Sequence, residues 1–208
     1  MDSRNREKFW NAANLITLAR VALVPVFALM LLRGRAFGSL AVIFLAGLSD
    51  VLDGWVARTW HQRTKVGTLI DPLADKLLLS TAYVLLSVRS LGFARVIPVW
   101  LTAAVIGRDF IILAGGAVIF LTRGRREFPP SILGKMSTII QVATVFWVVL
   151  SNSVRVSALG RSSFLAAITS SPVLDGFYAV TLLLTAVSGA HYIYKGIRMA
   201  FPGGPARP

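Results

Sequence analysis

Asp50, Asp53, Asp71 and Asp75 sit at the ends of two strongly apolar runs and are four of only nine acidic residues in the chain. A carboxylate held beside lipid is costly, so such a concentration marks a functional site. The pattern reads Asp50-x-x-Asp53-Gly54-x-x-Ala57-Arg58, then eight residues, then Gly67-x-x-x-Asp71-x-x-x-Asp75. At about 100° per helical residue, Asp50 and Asp53 stand about 60° apart and Asp71 and Asp75 about 40° apart. Each pair therefore shares a helix face. The short polar connection from Thr59 to Val66 makes the two helices antiparallel neighbours, so the pairs are expected to converge.

Four close carboxylates repel one another and would take up protons without a counter-charge. Two divalent cations bridged by shared aspartates answer that need. The chain has no cysteine and only two histidines, His61 and His191, so the ligands must be mainly oxygen. Oxygen donors fit Mg²⁺ or Mn²⁺ and exclude a thiolate zinc site. Gly54 and Gly67 allow a flat or phosphorylated group close to backbone, and Arg58 offers a planar, permanently charged phosphate donor. Metals, an arginine and small residues describe a diphosphate site. An aspartate without a full metal load is then a candidate general base for an attacking hydroxyl. Salt bridges to Arg58, Arg63, Lys65 and Lys76 are the bland alternative, and they account for neither the two glycines nor Ala57.

The elements that must position these residues follow from composition. With 55% hydrophobic residues, 15% charged residues and a mean hydropathy of +0.70, the 208-residue chain fits a polytopic membrane protein. Runs near 13–32, 36–57, 69–88, 96–122, 132–151 and 174–196 approach or exceed the roughly 20 residues a spanning helix needs. Lipid satisfies no backbone groups, so an all-α bundle of six transmembrane helices is expected. The first run follows a basic start but is too long for a signal peptide, which predicts a retained span. A short interfacial helix is expected over residues 2–12, which open DSRNREKFW, with Phe9 and Trp10 at headgroup level. The whole of 1–208 reads as one membrane domain: interfacial segment, bundle over 13–196 and tail over 197–208. The segment near 152–173, rich in serine and small residues, reads as an outer loop, and His191 reads as a packed residue of the last span.

Arginines and lysines are biased toward alternate connections. The N-terminus, the 58–65 and 123–126 connections and the C-terminus hold twelve; the other loops hold six, Arg33, Arg35, Arg89, Arg95, Arg155 and Arg161. The bias predicts cytoplasmic termini and a cytoplasmic-facing aspartate motif, with a cell inner membrane as the expected location. The net charge of +13 is spread among apolar runs, favouring anionic membrane lipids over nucleic acid as partners.

The aspartate string matches the signature of the CDP-alcohol phosphotransferase (phosphatidyltransferase) family, and the chain resembles that family elsewhere too. Asn14-Leu-Ile-Thr17-Leu-Ala-Arg20 looks like its first-helix Asn-x-x-Thr-x-x-Arg segment, although Ala13 stands where proline is common. The resemblance implies two divalent cations held by Asp50, Asp53, Asp71 and Asp75, with Asp75 also the base. It further implies that Asn14, Thr17, Gly54, Ala57, Arg58 and Gly67 bind the CDP moiety of CDP-diacylglycerol, and that the enzyme is a homodimer. The acceptor hydroxyl would attack the β-phosphorus and release CMP.

Two further segments bear on the acceptor. Phosphatidylglycerophosphate synthases of the family place a second arginine eight residues after the first in the fourth helix, and a second lysine in a Gly-Lys-x-Lys-Thr segment. Here those positions are Gly116 and Ser137, in Arg108-Asp109-Phe-Ile-Ile-Leu-Ala-Gly115-Gly116 and Gly134-Lys135-Met136-Ser137-Thr138. The missing cations would forfeit charge-assisted hydrogen bonds to a phosphate. Eukaryotic-type cardiolipin synthases resemble this chain more closely, which implies phosphatidylglycerol as acceptor ahead of glycerol 3-phosphate, with Arg108 and Lys135 contacting its headgroup. Alternatively, these two cations balance Asp109 or the site aspartates. An ion-coupled transporter is the rival class, but its carboxylates would be expected at mid-membrane on interrupted helices of two repeated halves.

Overall fold

The computed structural model describes residues 12–59, 67–123, 131–156 and 162–200, with side chains described for 18–49, 76–117, 131–155 and 162–196. These residues form α1 (Ala12–Leu32), α2 (Ala36–Thr59), α3 (Gly67–Ser87), α4 (Val99–Arg123), α5 (Ile132–Val156), α6 (Ser163–Ile168) and α7 (Ser171–Ala200), with one 3-10 turn at Arg89–Leu91 and no strand among them. Six of the helices are 21 to 30 residues long and fall on the six expected runs. A 21-residue helix is about 31 Å long, the thickness of a bilayer's hydrocarbon core. Among the described residues three stretches are long and apolar enough to cross a membrane: Val99–Ala117, Ile132–Arg155 and Ser163–Gly196. The described apolar parts of α1, α2 and α3 are shorter: Leu18–Leu32, Ala36–Ser49 and Lys76–Ser87. Large apolar side chains such as Phe44, Phe110, Ile139 and Leu183 stand exposed, as they would toward lipid. The interfacial helix expected over 2–12 lies outside the described residues except for Ala12, which begins α1, and α7 continues past the expected start of the tail.

The outer loop expected over 152–173 is corrected by the structure. Helix α5 continues to Val156, α6 occupies Ser163–Ile168 and α7 begins at Ser171. The polar residues that read as loop are satisfied inside helix: Ser153 Oγ donates to Val149 O at 2.8 Å and Asn152 Nδ2 to Val148 O at 2.9 Å. Serine and threonine side chains can bond the carbonyl one turn back without ending a helix.

The chain divides into two compact units. Unit 1 comprises Met1–Val96 and Val145–Ser170, and unit 2 comprises Ile97–Thr144 and Ser171–Pro208. In unit 1, α1 packs on both α2 and α3. The α1–α2 turn closes when Gly34 N donates to Leu31 O and Arg35 N to Met30 O, each at 2.9 Å. That pairing requires a left-handed residue, supplied by Gly34 at φ 65°. Asn152 pins the segment before α4: Arg95 N donates to Asn152 Oδ1 at 3.0 Å and Asn152 Nδ2 to Arg95 O at 2.8 Å. Trp147 Nε1 donates to Ile168 O at 2.8 Å and so holds α6. In unit 2, α4 packs on α7.

Candidate active site

All four aspartates lie on helices of unit 1, Asp50 and Asp53 in the second half of α2 and Asp71 and Asp75 in the first half of α3. Their side chains, with those of Gly54, Ala57, Arg58 and Gly67, lie outside the described ones, so what the structure adds is the backbone. The helical phase assumed from spacing holds, because both segments are α-helical. The two helices share a packing partner, α1, which carries Asn14 and Thr17. Among the described side chains there is no group of three His, Cys, Asp or Glu residues able to hold a metal.

One residue of α1 emerges that spacing alone does not single out. Arg20 is 1% exposed, the largest fully buried side chain described. A buried guanidinium requires anionic or polar company, and this one sits on the helix that packs against both aspartate-bearing helices. The signal was present as the last member of the Asn14-x-x-Thr17-x-x-Arg20 segment.

Unit 2 assembles its polar residues around Arg108 on α4. The guanidinium is buried and donates through Nη1 to Asp109 Oδ1 at 2.7 Å, and through Nη2 to Ser188 Oγ at 2.9 Å and Gly134 O at 3.4 Å. Its carbon lies 5.7 Å from the centre of the Tyr192 ring, within cation–π range. Arg108 Nε is buried without a hydrogen-bond partner among the described residues. The Tyr192 hydroxyl accepts from Ser131 N at 3.0 Å, and Ser131 Oγ accepts from Gly134 N at 3.0 Å, capping α5. Only glycine fits at 134: a Cβ there would lie 2.7 Å from Tyr192 Oη and 3.2 Å from Arg108 Nη2. Lys135, the next residue, is exposed.

Ser137 is fully buried and belongs to a neutral seam between α5 and α7. Gln141 Nε2 donates to Ser137 Oγ and Thr185 Oγ1 at 3.1 Å each, and Thr144 Oγ1 lies 2.7 Å from Thr181 Oγ1. Such small hydroxyl residues let helices approach and bond across an apolar medium. Steps of three and four from Ser137 to Thr144 and from Thr181 to Tyr192 are the signal that would have revealed the seam. Gly116 faces open space. His191, expected to be packed, is exposed on α7, because the buried face of that helix is taken by Thr185, Ser188 and Tyr192.

Residues 10–190 match the family described as CDP-alcohol phosphatidyltransferase. The chain is 39% identical over 130 residues to the human cardiolipin synthase (CMP-forming), covering 62% of this chain and 40% of that protein. It is 34% identical over 191 residues to the CDP-diacylglycerol--glycerol-3-phosphate 3-phosphatidyltransferase of Aquifex aeolicus, covering 92% of this chain and 98% of that protein. It is 31% identical over 201 residues to the Bacillus subtilis protein of the same name, covering 89% and 95%. The chain thus spans less than two thirds of the human cardiolipin synthase and nearly all of the two bacterial transferases.

Proposed function

Because the chain belongs to the CDP-alcohol phosphatidyltransferase family, we propose that it transfers the phosphatidyl group of CDP-diacylglycerol to the hydroxyl of a glycerol-type acceptor, releasing CMP. The observation that carries this reading is the eight-position pattern of Asp50, Asp53, Gly54, Ala57, Arg58, Gly67, Asp71 and Asp75 on two helices that share α1 as packing partner. Asp50, Asp53, Asp71 and Asp75 would hold two divalent cations, Mg²⁺ or Mn²⁺, which when bound neutralise the diphosphate and polarise its phosphorus. Asp75 takes the proton of the acceptor hydroxyl as its oxygen bonds to the β-phosphorus. The bond from that phosphorus to the bridging oxygen breaks, and the electron pair leaves with CMP. Arg58 pairs with a phosphate oxygen, Gly54, Ala57 and Gly67 leave room for the CDP moiety, and Asn14 and Thr17 contact it. The site and both termini face the cytoplasm of an inner membrane, and the enzyme works as a homodimer.

For the acceptor we favour phosphatidylglycerol, contacted by Arg108 and Lys135. The ion pair of Arg108 with Asp109 at 2.7 Å removes most of the net charge at that position, and Ser137 sits in a neutral seam. A site whose arginine is already paired suits a phosphodiester, with one charge, better than a phosphate monoester. Arg108 Nε supplies a donor. Glycerol 3-phosphate is the second reading, supported by the nearly full-length match to the Aquifex aeolicus transferase.

The test supplies labelled CDP-diacylglycerol and Mn²⁺ to the purified chain with phosphatidylglycerol or glycerol 3-phosphate separately. Cardiolipin as the main product supports the first reading. Phosphatidylglycerophosphate as the main product replaces it with the second.

A further inference from the structure

Unit 1 contains a second feature, at the end of its helices away from the aspartates. A cavity of about 150 Å³ is lined by residues that include Leu31, Gly34, Leu86, Phe93, Val149 and Asn152. Its walls are apolar, and the Asn152 amide is already committed to the Arg95 backbone and Val148 O. An apolar pocket of this size takes a hydrocarbon group about as large as benzene.

The surroundings of the cavity are cationic. Arg33 and Arg35 flank the lining residue Gly34, Arg89 precedes Leu91, Arg95 follows Ala94, and Arg155 lies one turn beyond Asn152. No Asp or Glu occurs in 33–36, 88–98 or 149–156. Arg33, Arg35, Arg89 and Arg155 are exposed and Arg95 is partly so. Five arginines within three residues of lining positions, without a carboxylate in the same segments, call for an amphiphile with a negative head.

The helices also fix how far this feature lies from the chemistry. Ala36 at the cavity and Asp50 are 14 residues apart on α2, about 21 Å at 1.5 Å per residue, and Leu86 and Asp71 on α3 are about 22 Å apart. The cavity and the aspartate motif thus occupy opposite ends of the same two helices.

We propose that this end of unit 1 is a binding site for one anionic glycerophospholipid, with its phosphate among the flanking arginines and an acyl segment in the cavity. The site is separate from the transfer reaction and does not rest on the choice of acceptor. Each arginine near an anionic lipid contributes an attraction that salt weakens, while burial of methylene groups holds the chain in place.

Native mass spectrometry of the full chain in detergent tests the proposal. The probe is phosphatidylserine, which is anionic and not a proposed substrate, against phosphatidylcholine, with CDP-diacylglycerol present to fill the catalytic site. The wild-type chain is expected to retain one phosphatidylserine in preference to phosphatidylcholine, and to lose that preference in high salt. The triple variant Arg35→Gln, Arg89→Gln, Arg95→Gln should bind it roughly 100-fold more weakly while releasing CMP at the wild-type rate. Ala94→Phe, which fills the cavity without changing charge, should also weaken retention. Equal retention of the two lipids by the wild-type chain overturns the proposal, and this readout needs no variant to fold. Unchanged phosphatidylserine binding in the triple variant or in Ala94→Phe overturns it equally, as does complete displacement by millimolar inorganic phosphate, which would reveal a bare anion site.

Discussion

Gly134→Ala probes the Arg108 cluster by adding a single methyl group. The new Cβ would lie 2.7 Å from Tyr192 Oη, about 0.7 Å inside ordinary contact. Residue 134 is on a helix and the tyrosine ring is rigid, so the ring must move. A shift of that size breaks the 3.0 Å bond from Ser131 N, worth about 0.5–1.5 kcal/mol. Overpacking adds about 1–3 kcal/mol, and the better helix propensity of alanine returns at most about 1 kcal/mol. The expected net loss is about 1–3 kcal/mol. Tyr192→Phe removes the atom that clashes, leaving Cε2 at 3.1 Å as the nearest neighbour on that ring. The double variant should therefore be more stable than the sum of the two single losses by about 1 kcal/mol. Unfolding midpoints in detergent for the four chains complete the cycle, and the acceptor KM measured alongside should rise in Gly134→Ala. Strictly additive losses would refute the claim that the tyrosine hydroxyl is what forbids a side chain at 134.

Other consequences are as specific. Asp75→Asn keeps an oxygen donor but cannot accept a proton, so CMP release should fall by about 10²–10⁴-fold; undiminished turnover removes the base assignment. Asn152→Ala deletes the bonds to both backbone groups of Arg95 and should cost about 1–3 kcal/mol, seen as a lower unfolding midpoint with the catalytic rate retained; an unchanged midpoint would show that the bridge contributes nothing. Arg108→Ala removes the guanidinium that pairs with buried Asp109 at 2.7 Å, so both stability and acceptor KM should suffer, and Arg108→Lys should restore neither fully because lysine lacks the planar fork.

The sequence carried the helices well because each had to bury a run of about 20 apolar residues, and that length is visible without a structure. The helical placement of the aspartate motif was equally legible, since its members are close in sequence and on regular helix. The stretch after Ser151 was not, because serine and asparagine favour turns only when their side chains compete with the helix, and here Asn152 and Ser153 bond back to it. The neighbours of Arg108 were also hidden: Ser188 is 80 residues away and meets it only through the packing of α4 on α7. The pairing of Arg108 with Asp109 was legible only as the alternative to an acceptor contact, because the two residues are adjacent.

The central claim is metal-dependent phosphatidyl transfer from a CDP-linked lipid, and release of CMP reports it most directly. Purified chain given CDP-diacylglycerol and a glycerol-type acceptor should release CMP in step with lipid product when Mg²⁺ or Mn²⁺ is supplied. Release should stop on chelation and return on adding the cation. CMP release that continues in excess chelator, or that survives combined replacement of Asp50, Asp53, Asp71 and Asp75 by asparagine, would contradict the account.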